Sequence, residues 1–348
     1  MPALLMDGEL GSLWKVSAAV WAAMSYARVA AARTSPGAGR LAALMPAVVL
    51  FYGIPFAFTT AGFRGISGFF LSWLGTFKLF LLAAGRGPLD PSLPLPQFVC
   101  SASLPVKLRQ STSSSKAKKQ NPASAATKIL LSGGLIPFIL YAFQFKAAMS
   151  RWQLLLLYTT LIYFAVDFLL ASVQGVVHGV LGMEMEPQVD RPYLASSLRD
   201  FWGRRWNLMV PAILRPSVYG PVRARFGVAA GVLASFLVSG LMHELIFYYL
   251  MWQPPSGDVA AFFVLNGACA AAEAWWGRHA GWWRPPRVVA VPLTLAFVGG
   301  TGFWLFFPAL IRGGLDELML HDFQGMLALM EQGGRWLADA AGPVLSTR

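Results

Sequence analysis

The sequence predicts an all-α polytopic membrane protein. Of its 348 residues, 56% are hydrophobic and only 13% are charged, whereas a soluble domain carries about 25% charged residues. Long and nearly uncharged runs recur along the chain, and they have the length that a helix needs to cross a bilayer. Because these runs leave no gap for a soluble domain, we predict a single membrane-embedded domain over residues 1–348.

The apolar runs predict about eight membrane-spanning helices. Their approximate bounds are 11–30, 42–62, 66–84, 129–145, 153–180, 228–251, 259–277 and 289–311. Lys78 interrupts the third run, so a re-entrant segment is an alternative there. The final segment, 312–348, mixes apolar with charged residues and is predicted to lie at the membrane interface as an amphipathic helix.

Two long polar connections predict the orientation of the chain. Residues 85–128 form a basic connection, whose Ser- and Lys-rich part at 111–122 is expected to be disordered. Residues 181–226 form the second connection, which contains seven arginines and four acidic residues. Two predicted spans separate the connections, so both face one side, and the positive-inside rule makes that side cytosolic. Asp258 is then expected on the opposite side.

The formal net charge of +12 does not indicate nucleic acid binding. The basic residues lie in the connections between apolar runs, where membrane proteins carry them. The sequence also has no His-Glu-x-x-His motif and no paired-cysteine spacing, so no metal site is predicted.

His243 is the most informative single residue. It lies in the apolar run 236–250, directly before Glu244. Sixteen residues of helix from Gly227 place it roughly 24 Å along the helix axis, beyond the midplane of a hydrocarbon core about 30 Å thick. An ionisable pair at that depth has to face protein or a cavity, and an imidazole suits a general base for an alcohol. The alternative is a hydrogen bond between helices that only stabilises the bundle.

A second unusual segment, 197–208, combines charges, aromatic rings and an amide within the polar connection. Its arginine pair, Arg204 and Arg205, has the fork geometry that binds phosphate oxygens. The alternative is an interfacial anchor of aromatic and arginine side chains. The side chains expected to form a polar chamber with His243 are Asp200, Trp202, Trp206, Asn207 and Glu244.

These residues resemble the motifs of a known family. The segment PYLASSLRDFWGRRWNLMV at 192–210 closely resembles the signature of the plant wax synthases, which are long-chain-alcohol O-fatty-acyltransferases of the membrane-bound O-acyltransferase (MBOAT) superfamily. The segment SFLVSGLMHEL at 235–245 is similar to the histidine motif of the same family. Shorter similarities occur at 70–79, 104–109 and 301–308, so the resemblance covers roughly residues 10–315.

The resemblance implies an MBOAT-like fold with an intramembrane catalytic chamber in the endoplasmic reticulum membrane. It implies that His243 is the catalytic histidine and that Asn207 is the polar residue paired with it. Acyl-CoA is the expected acyl donor and a long-chain fatty alcohol the expected acceptor, with no cofactor, because acyl-CoA is a substrate. Four basic side chains are expected to hold the CoA phosphates: Arg204, Arg205, Lys107 and Arg109.

Two alternatives remain open at this point. Some plant relatives acylate sterols, so a sterol is an alternative acceptor. A lipid transporter or scramblase is the alternative outside enzymes, because such a protein also places polar residues at mid-depth.

Overall fold

The computed structural model describes residues 2–105, 122–181, 188–277 and 285–345, and every regular element in these ranges is helical. The α-helices are α1 (Pro2–Arg33), α2 (Ala38–Gly53), α3 (Ala61–Ser67), α4 (Thr76–Ala83), α5 (Leu95–Ser103), α6 (Pro122–Ala142), α7 (Arg151–Leu181), α8 (Leu198–Asp200), α9 (Met209–Leu214), α10 (Gly220–Met251), α11 (Asp258–Trp276), α12 (Arg287–Thr301), α13 (Phe307–Arg312) and α14 (Leu315–Leu345). The 3₁₀ segments are Ile54–Ala57, Phe143–Ala148 and Pro192–Leu194, and the π-helical segments are Gly68–Gly75, Phe201–Arg205, Arg215–Tyr219 and Gly302–Phe306.

Within the described ranges, seven helical stretches are long and apolar enough to cross a membrane. They are Ala38–Ala57, Ala61–Ala83, Ala126–Ala148, Arg151–Gly179, Met209–Met251, Asp258–Trp276 and Arg287–Arg312. The prediction of an all-α polytopic membrane protein is thereby confirmed. The predicted first span, 11–30, lies inside the continuous helix α1 but is not one of the seven, because serine, tryptophan and charged side chains lower its mean hydropathy.

The third predicted span is a continuous helical run that contains a buried lysine. Lys78 is fully buried, and its Nζ donates hydrogen bonds to the carbonyl oxygens of Ser101 (2.6 Å) and Leu104 (2.5 Å). These carbonyls belong to the C-terminal end of α5, where backbone oxygens lack partners within the helix. The lysine therefore attaches α5 to the bundle, and its charge does not interrupt the run from Ala61 to Ala83.

The sixth predicted span, 228–251, is part of a longer helical stretch. That stretch runs from Met209 to Met251, and Gly227 divides it with the non-helical angles φ 87° and ψ 176°. The polar connection predicted at 181–226 is consequently helical over most of its described part, as α8, α9 and the segments beside them. Gly227 still marks the start of the straight helix that carries His243.

Polar contacts gather the helix termini at two ends of the bundle. At one end, the backbone N–H of Gly37 donates to the carbonyl of Ala83 (2.9 Å). The other end, called the far end below, joins residues distant in sequence. Its contacts are Thr59 N–H to Glu9 (2.6 Å), Gly62 N–H to Asp322 (2.9 Å), Lys146 to Asp316 (2.6 Å) and Arg312 to Asp258. Asp258 thus lies at the end opposite the connection that follows Ala83.

Two apolar clusters form the core between these ends. One is built from α1 to α5, with Phe51, Leu79 and Phe98 at its centre. The other joins α6 and α7 to α10, α11, α13 and α14, and it includes Phe262 and Leu310. The long helix α14 covers the far end, where it packs against α1, α3, α6, α10 and α13. Burial at that position raises the pKa of the Asp322 carboxyl, because apolar surroundings disfavour its charged form.

Candidate active site

A large apolar cavity of about 1990 Å³ runs through the second cluster. Pockets for drug-sized ligands have volumes of about 300–1,000 Å³, so this cavity is large enough to hold long aliphatic substrates. Its lining includes Arg199 and Arg204 from the motif, His243 at mid-depth, and Leu310 and Met319 at the far end. The cavity therefore connects the motif-bearing segment with the opposite end of the bundle.

His243 lies on the cavity wall in a fixed orientation. Its Nδ1 is 2.7 Å from the carbonyl oxygen of Ser239, and its ring stacks on Phe263 at 4.3 Å with an interplanar angle of 27°. The ring of Trp73 packs edgewise against it at 5.0 Å. A carbonyl oxygen only accepts hydrogen bonds, so Nδ1 carries the hydrogen and the neutral ring keeps the lone pair on Nε2. This tautomer is the one that a general base at Nε2 requires.

Asn207 lines the same cavity, from the end of the motif. Its φ of 43° places it in the left-handed region, which asparagine tolerates better than most residues. The side-chain Oδ1 is buried and accepts no hydrogen bond from the described residues. A buried amide oxygen without a hydrogen-bond donor is costly, which favours a role toward a bound substrate that can donate to it.

Two tryptophans of the motif form an aromatic wall. The Nε1 of Trp202 donates to Oδ1 of Asn266 (3.2 Å), and its ring lies 5.6 Å from that of Phe263, the residue stacked on His243. Trp206 stacks on Phe201 with an interplanar angle of 17°. Both tryptophans line the cavity.

Three of the predicted site residues do not line the cavity. Asp200 and Arg205 form an ion pair at 2.7 Å, and Arg205 also donates to backbone carbonyls at 190 and 191. Glu244 points away from the cavity because it is one position beyond His243 on the helix, a rotation of about 100°. Its Oε1 accepts from the N–H of Ala260 (3.0 Å), in the first turn of α11, where backbone donors are otherwise unpaired.

The predicted CoA ligands separate into two groups. Arg204 is exposed and lines the cavity, beside two further arginines of the lining, Arg199 and Arg215. Lys107 and Arg109 lie outside the described residues. Within the described ranges, no group of three His, Cys, Asp or Glu side chains has a metal-binding arrangement.

Two residues that position the motif were not singled out from the sequence. The carboxylate of Glu273 accepts hydrogen bonds from the N–H groups of Leu198 (3.2 Å) and Arg199 (3.1 Å). Asn266 is fully buried and, besides accepting from Trp202, donates to the carbonyl of Phe262 (3.0 Å). An amide and a carboxylate inside the apolar run 258–276 were the available signals, because polar groups in a membrane helix need partners.

Comparisons with known proteins identify the family of the chain. Residues 185–265, which include Asn207 and His243, match the model of the membrane bound O-acyl transferase family. The chain is 40% identical to the probable long-chain-alcohol O-fatty-acyltransferase 1 of Arabidopsis thaliana over 327 residues, which cover 90% of this chain and 94% of that protein. It is 38% identical to the long-chain-alcohol O-fatty-acyltransferase of Simmondsia chinensis over 336 residues, 92% of this chain and 96% of that protein.

A third relative carries a different name. The acyl-CoA–sterol O-acyltransferase 1 of Arabidopsis thaliana is 37% identical over 299 residues, 82% of this chain and 87% of that protein. These identities extend well beyond the two motifs and cover most of every chain compared. The protein therefore belongs to the membrane-bound O-acyltransferase family and is a multi-pass membrane acyltransferase.

Proposed function

We propose that the protein transfers a fatty acyl group from acyl-CoA to the hydroxyl of a long-chain fatty alcohol and so makes a wax ester. The observation that carries this proposal is the placement of His243, whose Nε2 lone pair is free while Ser239 holds Nδ1, on the wall of a large apolar cavity. The reaction requires a site that holds two aliphatic chains and transfers one proton.

The reaction needs no covalent enzyme intermediate, because a thioester is already activated. Nε2 of His243 takes the proton of the alcohol as its oxygen attacks the acyl carbonyl. The side-chain amide of Asn207 is the proposed donor to the resulting oxyanion; removing such a donor typically costs about 10²–10³ in rate. The carbon–sulfur bond then breaks, and the imidazolium returns its proton to the CoA thiolate. The apolar wall excludes water that would hydrolyse the thioester.

The CoA moiety is proposed to bind at the cavity mouth beside Arg204. An exposed guanidinium that lines the cavity is free to grip a phosphate bidentately. Arg199 and Arg215 lie at the same mouth, and Lys107 and Arg109 remain proposed ligands. Arg205 is assigned instead to holding the motif, because Asp200 already neutralises it.

We place the protein in the endoplasmic reticulum membrane, where acyl-CoA and fatty alcohols are used, with the motif end of the bundle facing the cytosol. The basic connections at 85–128 and 181–226 support this orientation, and acyl-CoA then reaches Arg204 from the cytosol.

A sterol is the second candidate acceptor, and the similarity to the sterol O-acyltransferase supports it. We favour the fatty alcohol because the two relatives of higher identity named above carry the long-chain-alcohol name. A transporter or scramblase has no comparable support, since the chain is an acyltransferase.

The test is lipid analysis of a host that lacks neutral-lipid synthesis. Cells that express the protein or its His243→Ala variant are fed fatty alcohol or sterol separately, and wax and sterol esters are measured by mass spectrometry. We expect wax ester from the wild type only, and only with fatty alcohol. Sterol ester without wax ester would establish the second candidate, and the absence of both esters would refute the proposal.

A further inference from the structure

The C-terminal helix closes the cavity at the far end. The side chains of Leu315 and Met319 line the cavity there, next to Leu310 and Gly62. Leu315 is buried, and Met319 packs against the second core cluster on one side while facing the cavity on the other. The first turns of α14 thus form a floor to the cavity, a role that the predicted interfacial helix did not include.

Three polar contacts, made by two carboxylates, fix the position of this floor. The buried carboxylate of Asp316 accepts from the hydroxyl of Tyr158 (2.6 Å) and pairs with Lys146 (2.6 Å). The carboxylate of Asp322 accepts from the N–H of Gly62 (2.9 Å). Met319 lies three residues from each of these anchors, on the face of the helix that they share. Its side chain is therefore held at a defined place, although methionine itself is adaptable.

The floor lies on the path that an acyl chain has to take. With CoA at the mouth beside Arg204 and the thioester at His243, the aliphatic tail extends away from the mouth. Seven residues of helix separate His243 from Leu250, the last lining residue of α10, which is about 10 Å along the axis. An extended long-chain acyl group exceeds that depth, so its end has to turn along the surface that Met319 and Leu315 present.

We propose that α14, through Met319 and Leu315, sets the length of the acyl chain that the protein accepts. The inference rests on the proposed function and adds a determinant of substrate specificity to it. An acyl chain that is too long has to displace the side chain of Met319, which lies between the two anchored residues. An acyl chain that is too short leaves part of the cavity unfilled. In a hydrophobic pocket, one methylene changes discrimination by about tenfold or more.

The experiment compares Met319→Ala with Met319→Phe. Microsomes receive one fatty alcohol and an equimolar series of saturated acyl-CoAs of increasing length, and the wax esters are quantified by mass spectrometry. We expect Met319→Ala to raise the ratio of the longest to the shortest acyl chains in the product by about tenfold, and Met319→Phe to lower it by a similar factor. In a second series, one acyl-CoA and a mixture of alcohols, both variants should give the wild-type profile.

Leu320 provides the matched control. It lies on the same helix and packs against the same cluster, but it does not line the cavity, so Leu320→Ala and Leu320→Phe should leave both profiles unchanged. The proposal is overturned if the Met319 variants keep the wild-type acyl profile, shift the alcohol profile instead, or lose all activity while the Leu320 variants stay active. A wild-type protein that forms no ester would refute the proposed function itself, which is a separate result.

Discussion

The Nδ1 of His243 lies 2.7 Å from the carbonyl oxygen of Ser239, one helical turn earlier. This contact uses the i to i−4 spacing of the helix to fix the tautomer of the ring, and the stacked ring of Phe263 fixes its plane. Since the carbonyl belongs to the backbone, substitution of Ser239 does not remove it. The orientation of the base is therefore built into the helix, on the wall of the cavity.

Replacing His243 with alanine should reduce ester formation by about 10²–10⁴-fold, the usual contribution of a general base. Insertion into the membrane should persist, because the ring lies on a cavity wall. Turnover of labelled acyl-CoA in microsomes measures the effect, with His178→Ala as the control, since His178 is exposed and does not line the cavity. Residual activity above about a tenth of wild type would remove His243 from this role.

Asn207 should be tested with two substitutions, because its backbone is also unusual. Asn207→Ala removes the amide and places a β-carbon at a φ of 43°, whereas Asn207→Gly removes the amide without backbone strain. If the amide stabilises the oxyanion, both variants lose about 10²–10³ in kcat with little change in the KM for acyl-CoA. Near wild-type turnover in Asn207→Gly would reduce the role of Asn207 to shaping the backbone.

The adjacent arginines should behave differently. Arg204→Gln should raise the KM for acyl-CoA with little change in kcat and no change in the KM for the alcohol, because only acyl-CoA carries phosphates. Arg205→Gln should instead lower the thermal stability of the purified protein, because it leaves Asp200 without its ion pair. Titrations with both substrates at fixed ionic strength, together with melting curves, distinguish the two. A selective acyl-CoA effect at Arg205 and none at Arg204 would reverse the assignment.

Glu273 should act on catalysis from outside the cavity. Glu273→Ala leaves the N–H groups of Leu198 and Arg199 without their acceptors and loosens the motif. An unsatisfied buried donor costs about 1–3 kcal/mol, and the loss is smaller at Arg199, which is exposed to solvent. We expect lower kcat and a partial recovery in Glu273→Gln, which keeps one acceptor oxygen. Single-turnover kinetics in detergent are the measurement. Equal activity of Glu273→Ala and wild type would show that other contacts suffice to hold the motif.

The two ends of the bundle should face opposite sides of the membrane. Ser92 and Ser256 are both exposed, the first in the connection after Ala83 and the second beside Asp258. With the native Cys100 and Cys269 replaced by serine, Ser92→Cys in sealed microsomes should react with an impermeant maleimide from the cytosolic side. Ser256→Cys should react only after permeabilisation. Reaction of both cysteines in sealed vesicles would contradict the orientation.

Hydropathy predicts the membrane helices of this chain well where apolar residues dominate. The predicted span 153–180 compares with Arg151–Leu181, and 259–277 with Asp258–Trp276. It fails where apolar and polar residues are mixed. Over 209–226, π-helical and α-helical turns alternate around prolines and arginines, and neither period 3.6 nor a continuous apolar run is present.

The candidate site is predicted at the level of motifs but not of contacts. His243, Asn207 and Trp202 stand out in the sequence because polar or aromatic groups in those segments are expected to have a binding partner or a function. The partners of Arg205 and Glu244, and the role of Glu273, depend on which residues meet in three dimensions. Glu273 and Leu198 are separated by 75 positions in the chain. A single sequence contains no signal for such a pairing.

Gly227 connects the motif-bearing turns to the straight helix that carries His243, and its backbone angles lie where L-amino acids are strongly disfavoured. Beyond the neighbouring residues and the backbone of its own helix, no atom lies within 4 Å of the place that a β-carbon would take, so an added side chain would meet no tertiary contact there. Only the chirality of L-amino acids restricts substitution at this position. If the signs of φ and ψ are both inverted, the angles lie in the ordinary extended region. A D-alanine introduced by semisynthesis should keep the bend, whereas L-alanine, with the same volume, should alter the angle between the two helical arms.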